Sequence, residues 1–223
     1  MRLADPRYEL LLKALAAEPD PHTTVSEPEK AREIHIADSL SGLEVGDLAH
    51  ARRIADVGAG AGFPGLVLAI ALQRSKVDLI ESAGRKTAVI DRLIQAAKVE
   101  NARSVTARAE DWAAVPPELG GGREAYDAVT ARAVASLPVV VEYAAPLLRR
   151  DGVLVAWKGS VDDSERRLGR EAASKLGMVH EEARRVEPFA GARDRHLYVF
   201  RKTGPTPDGY PRRPGMASKR PRA

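Results

Sequence analysis

Between positions 56 and 65 the chain reads Asp56-Val57-Gly58-Ala59-Gly60-Ala61-Gly62-Phe63-Pro64-Gly65. Four glycines in eight positions let the backbone take left-handed turns at no steric cost and leave no Cβ to hold a ligand off the main chain. The run before it, Arg52 to Val57, has the apolar density of a buried strand, and Gly62 to Gln73 has the composition of a helix. A strand feeding such a loop into a helix aims unbonded amide groups at whatever occupies the crevice. A second strand, Val77 to Glu81, ends in a carboxylate placed to accept both hydroxyls of a ribose. Strand, loop, helix, strand and acid in that order predict a nucleoside-binding unit.

Two nucleoside cofactors compete for the loop. Gly60-Ala61-Gly62-Phe63-Pro64-Gly65 satisfies the G-x-G-x-x-G spacing of dinucleotide sites, so an NAD(P)-dependent oxidoreductase is one reading. Against it, Asp56 sets a carboxylate beside the glycines, where a pyrophosphate is repelled and an amino-acid ammonium is welcome. The predicted terminal hairpin also departs from two symmetric βαβαβ halves. Both features favour S-adenosyl-L-methionine.

Beyond the loop, short apolar runs keep alternating with helical periodicity. Strands are expected at Ser104 to Ala107, Tyr126 to Ala131, Gly152 to Lys158, Val179 to Val186 and His196 to Arg201. Helices are expected after Glu81, at Leu137 to Leu148 and at Val161 to Leu176, with a long polar loop through Pro116 to Gly122. The fold class is α/β: a Rossmann-like sheet, mostly parallel with a C-terminal antiparallel hairpin, and helices on both faces. Upstream, Leu10, Leu11 and Leu15 mark one helix, and Ser26-Glu27-Pro28-Glu29 has the form of a capping box opening another. The expected division is a helical extension over 1–50, a cofactor-binding domain over 51–202 and a basic tail over 203–223.

The tail carries the charge imbalance of the chain. It holds Arg212, Arg213, Lys219, Arg220 and Arg222 against the single acid Asp208, an excess equal to the net +4 of all 223 residues. Five prolines and three glycines share that segment, a composition expected to form an extended arm. Such an arm serves either as a solubilising tail or as a sequence-independent contact with phosphates. The chain contains no cysteine, which excludes disulfides, thiolate zinc sites and a cysteine nucleophile. His22, His50, His180 and His196 lack metal-ligand spacing, so no metal is expected. The longest apolar stretch, Phe63 to Leu72, is too short to span a bilayer, and the N-terminus has no signal-peptide pattern. A cytoplasmic protein without membrane contact is expected.

With these motifs in view, the loop resembles the cofactor motif of class I S-adenosylmethionine-dependent methyltransferases. The chain as a whole resembles the ribosomal RNA small subunit methyltransferase G family (the glucose-inhibited division protein B type). The resemblance also rests on His35-Ile36-Ala37-Asp38-Ser39-Leu40, Ala109-Glu110, Thr130-Ala131-Arg132-Ala133-Val134-Ala135-Ser136-Leu137, Lys158-Gly159, Arg195-His196-Leu197 and Tyr210-Pro211-Arg212-Arg213. Thr130 stands where many relatives carry serine, and the region before Ser26 is short.

The resemblance implies methyl transfer to N7 of a guanine in small-subunit (16S) ribosomal RNA, within the small subunit or an assembly intermediate, by a monomer. It implies cofactor contacts by Gly58, Gly60 and Phe63, an adenine site beside Ala109 and Glu110, and ribose binding by Glu81. His35 and Asp38 share a helix face that either closes over the site or makes only structural hydrogen bonds. Arg132 has three open roles: a donor to guanine O6, a clamp on the cofactor carboxylate, or a partner for Asp56 or Glu110. Lys158, Arg195, Arg212 and Arg213 are the expected RNA contacts. Guanine N7 has an in-plane lone pair and no proton to lose, so no catalytic general base is expected. A vestigial, non-catalytic ribosome-binding protein would place no demand on an intact glycine loop, Glu81 and Arg132.

Overall fold

The strands of the computed structural model, which describes residues 4–221, are β1 Arg53–Val57, β2 Lys76–Glu81, β3 Ala102–Thr106, β4 Tyr126–Arg132, β5 Leu148–Lys158, β6 Met178–Arg185 and β7 His196–Lys202. They form one seven-stranded sheet in the order β3-β2-β1-β4-β5-β7-β6. Strands β1 to β5 pair in parallel, and β7 inserts antiparallel between β5 and β6. The chain builds outward from β1 to β3, then returns to lay β4 on the other flank of β1. A crevice opens at the carboxyl ends of β1 and β4, where the winding reverses.

Alternation along the strands divides the core in two. Ile54, Val77, Val155 and Val199 face one side, and Ala55, Ile80, Leu154 and Phe200 face the other. Helices α1 (Pro6–Ala17), α5 (Gly65–Ala71) and α6 (Gly84–Ala96) contribute to the first cluster. Helices α7 (Ala109–Ala114), α8 (Leu137–Ala144) and α9 (Asp163–Lys175) contribute to the second. Tyr8, Leu11, Leu12 and Leu15 of α1 are fully buried in the first cluster, so the N-terminal helix completes the covering of the sheet.

Upstream of β1 the chain winds continuously through α2 (Pro28–Ala31), a wider π-type segment at Arg32–Ala37 and α3 (Asp38–Ser41), then α4 (Gly46–His50). The expected capping box does not form. Glu27 occupies the cap position without a side-chain bond, because Pro28 opens the helix one residue later than the motif requires. The supposed polar loop before β4 contains α7, whose apolar residues are mostly small alanines and give little periodic signal.

The tail is not an extended arm. Thr206 and Ala217 are buried, and a last turn, α10 (Met216–Lys219), packs by α8 with Tyr143 Oη 3.0 Å from Ser218 Oγ. Lys202 is buried and donates to the carbonyls of Ala145 and Leu176 and to Thr206 Oγ1. Arg212 forms a 2.5 Å ion pair with Glu142, both side chains less than a tenth exposed. Polar side-chain contacts at a few points hold a segment whose composition offers little apolar area. Arg222 lies outside the described residues.

Candidate functional site

The glycine loop follows β1 with Gly58, Gly60 and Gly62 at φ of +67°, +57° and +93°, all in the region that favours glycine. A Cβ at position 58 would lie 2.9 Å from Val134 Cγ2, so the chain after β4 is pressed against the loop. The amides of Gly58 and Ala59 both donate to Ile80 O, those of Gly62 and Phe63 to Ala59 O, and that of Gly60 to Glu81 Oε2 at 3.2 Å. The expected array of free donors is therefore largely consumed inside the protein. A pyrophosphate depends on such donors, so this loop is a poor dinucleotide cradle.

Asp56 departs from expectation in the same direction. It is fully buried, accepting from Gly65 N at 2.9 Å through one oxygen and from Thr130 Oγ1 at 2.8 Å through the other. It ties β1, β4 and the start of α5 together and does not reach a ligand ammonium. Burial pushes its carboxyl up to about 6, against the two hydrogen bonds that favour the anion. The hydroxyl that Thr130 shares with serine is the group this contact uses.

Glu81 ends β2 in the wall of the crevice, and its other oxygen accepts from Ala83 N at 2.9 Å. These bonds fix the carboxylate beside the loop. Around it, Gly58, Ala109, Glu110, Val134 and Tyr143 complete a crevice of about 140 Å³. The structure thus brings together Gly58, Glu81, Ala109 and Glu110 from three separate strand ends. Glu110 also accepts from Gly215 N at 2.8 Å, which anchors the folded tail at the crevice edge. The residues fit a nucleoside with a ribose, because a fixed carboxylate, a glycine backbone and a small-residue wall meet there. Phe63 is not among the lining residues: it is buried and stacked on His35, ring centroids 4.4 Å apart.

A second pocket, about 210 Å³, lies at the ends of β4, β5 and β7 and is lined by Asp38, Arg132, Ala133, Trp157, Lys158, Gly159, Ser160, Arg195 and His196. Arg132 donates to Asp38 Oδ2 at 3.0 Å, to Ile34 O at 2.9 Å and to His35 Nδ1 at 3.2 Å. His35 Nε2 meets Val25 O at 2.8 Å, a contact that requires the proton on Nε2 and leaves Nδ1 as the acceptor. Burial, reinforced by the Arg132 charge, pushes the His35 imidazole down to about 4, so it stands neutral. Arg132 pairs with Asp38 and not with Asp56 or Glu110. Ala133 sits at φ +57°, so the chain turns sharply after Arg132. Arg132 and Ala133 line the pocket, while Val134 lines the crevice.

The other basic candidates divide. Lys158 lines the pocket but is paired with Glu165 at 2.7 Å and donates to Ala135 O. Arg195 has no ion pair among the described residues, and its buried Nε lacks a partner. Arg213 is exposed. The expectation of an RNA contact at Arg212 is corrected: its charge is spent on buried Glu142. Sequence reasoning missed Val134, Tyr143 and Ser160 and weighed His196 only as a metal ligand. Val134 and His196 lie inside segments the resemblance rests on, a signal that was available.

A 3-2-1-4-5-7-6 sheet with β7 reversed, a glycine loop closing on an acid at the end of β2 and a pocket beside β4 define a class I methyltransferase. The O-methyltransferase of Bacillus cereus, solved with S-adenosylhomocysteine, shares the fold at a TM-score of 0.61 and 18% identity, over 89% of this chain and 91% of that one. The family model for rRNA small subunit methyltransferase G matches residues 18–198. Ribosomal RNA small subunit methyltransferase G of Desulfitobacterium hafniense is 38% identical over 199 residues, 89% of this chain and 80% of the relative. Its counterpart from Rubrobacter xylanophilus is 41% identical over 198 residues, 87% and 74% of the two chains. The chain belongs to the rRNA small subunit methyltransferase G family. The reversed β7 and the spent loop amides leave the oxidoreductase reading without support.

Proposed function

We propose that this protein transfers a methyl group from S-adenosyl-L-methionine to N7 of a guanine in 16S ribosomal RNA. The observation that carries the reading is the shared wall at the end of β4. Val134 faces the crevice that suits the cofactor, and the adjacent Arg132 and Ala133 face the pocket that suits a base. The cofactor supplies a methyl group on a sulfonium, which is already an activated leaving group. Glu81 holds the ribose, Ala109 and Glu110 border the adenine, and the Gly58 backbone admits close approach. Arg132, held by Asp38 and His35, orients the base.

Alignment is the main work left to the chain. N7 presents its lone pair in the ring plane and releases no proton, so the reaction needs no base. This agrees with His35, whose nitrogens are engaged by Val25 O and Arg132. Methylation of a pyrimidine C5 normally uses a cysteine, which the chain lacks. Exocyclic amine methylation typically uses an Asn/Asp-Pro-Pro-aromatic run where this chain has Thr130-Ala131-Arg132-Ala133. The substrate form is the small subunit or an assembly intermediate, reached by a monomer with Arg195 and Arg213 contacting phosphate.

The test is incubation with methyl-labelled S-adenosyl-L-methionine and small subunits from a strain lacking the gene. Borohydride and aniline then cleave the RNA at 7-methylguanosine. Label with one new cleavage is the expected result. No label on subunits, naked 16S RNA or assembly intermediates would overturn the reading.

A further inference from the structure

The pocket beside β4 carries one carboxylate among its described lining residues, Asp38, set among the cations Arg132, Lys158 and Arg195. Asp38 is 3% exposed, and the structure uses only half of it. Oδ2 accepts from Arg132, while Oδ1 is buried without any hydrogen-bond partner. A buried, unsatisfied carboxylate oxygen is costly, so such an atom in a native site calls for a missing donor. The position is well fixed. Trp157 Nε1 donates to the Asp38 carbonyl at 2.8 Å, and Ser41 Oγ donates to it at 2.6 Å.

The geometry points to Asp38 as the residue that reads the Watson–Crick edge of the target guanine, with Oδ1 accepting from N1–H and the N2 amine while Arg132 donates to O6. The inference rests on the proposed guanine substrate and deepens it. Guanine presents the acceptor O6 directly beside the donors N1–H and N2–H₂. The Arg132–Asp38 pair presents a donor directly beside an acceptor, in the matching order. Adenine presents a donor amine beside an acceptor nitrogen, so the same pair meets it with like against like. The 3.0 Å bond between the two side chains holds the reading pair in register before any base arrives. Arg195, which lines the pocket and has no ion pair among the described residues, supplies a cation for the phosphate of the same nucleotide.

The experiment compares guanosine with inosine, which lacks only the N2 amine. After the methylated position is mapped on wild-type reaction products, small subunits are reconstituted with 16S RNA ligated to carry inosine there. Single-turnover methylation is then measured at saturating cofactor. The wild-type rate, with enzyme in excess of subunits but below saturation, is expected to fall about tenfold or more on inosine, the effect of losing part of a paired base contact. Equal rates on both substrates would overturn the inference. The Asp38→Asn variant is expected to lose activity on guanosine through KM and to narrow the guanosine-to-inosine ratio to within about threefold, and Asp38→Glu to restore part of that ratio. A variant that keeps the full wild-type ratio would also overturn it. Thermal unfolding and cofactor titration verify that each variant is folded; should one fail, the wild-type inosine comparison decides alone. Absence of wild-type methylation on the guanosine subunits would instead sink the proposed function.

Discussion

The guanidinium of Arg132 donates to Nδ1 of His35 at 3.2 Å, so an arginine that lines the pocket beside β4 is steadied by a histidine that must stay neutral. His35 is 5% exposed and stacked flat on Phe63, with Val25 O holding its other nitrogen. Protonating it would set a second cation against Arg132 in a buried place.

That relationship predicts an acid sensitivity. The His35 imidazole falls from 6.5 to about 4 in the fold, so between those values the unfolded chain binds the extra proton. Its contribution is fully present above pH 6.5 and is lost as pH falls toward 4, by up to about 3 kcal/mol. Urea titrations of wild type and His35→Gln across pH 4 to 7 check this. The difference between the two should shrink as the pH drops.

Asp56 predicts the opposite slope. Its carboxyl rises from 3.8 to about 6, so the native state holds its proton more tightly than the unfolded chain. That contribution is fully present below pH 3.8 and is lost as pH rises through 6, again by about 3 kcal/mol at most. Asp56→Asn keeps an acceptor for Gly65 N and offers a donor to Thr130. Relative to wild type it should gain stability steadily from pH 4 to 7 in the same titrations.

Gly58→Ala tests the loop. A Cβ at φ +67° costs about 1–2 kcal/mol, and here it also meets Val134 at 2.9 Å. The expected outcome is a folded protein whose Tm drops by about 2–4 °C per kcal/mol and whose S-adenosyl-L-methionine affinity falls about tenfold or more in calorimetry. Gly46→Ala, where a Cβ meets nothing within 4 Å, should leave both unchanged.

Glu142→Ala strands the Arg212 charge in a buried place, a loss expected to cost about 3–5 kcal/mol. Limited proteolysis should then cut within 203–220 faster than it does in wild type. The double variant Glu142→Leu with Arg212→Met should recover much of the loss.

The sheet was largely legible because its signal is local. β1, β2, β4 and β7 carry short apolar runs, and the glycine loop announces the β1 to α5 turn without any tertiary information. The hairpin of β6 and β7 could be inferred from the missing helix between them. What could not be inferred depends on contacts far apart in sequence. Asp56 looked like a ligand group because nothing local reveals that Thr130, 74 positions on, takes one of its oxygens. Arg212 looked free for RNA because its partner Glu142 lies 70 positions earlier, on a helix that nothing local connects to the tail. Phe63 looked like a cofactor contact because it sits in the loop, yet its ring turns onto a histidine from the N-terminal helices. The tail misled most, since composition predicts apolar burial well and says little about a segment secured by a buried lysine, an ion pair and one backbone amide.

That backbone amide, Gly215 N on Glu110, has a practical consequence for anyone handling the protein. The residue that opens α10, the last described turn, is bonded to the edge of the crevice, so a bulky label attached within that turn stands close to it. Labels for titration or imaging belong on exposed positions of the opposite rim, such as Lys76 at the start of β2, where a bulky group faces neither the crevice nor the pocket.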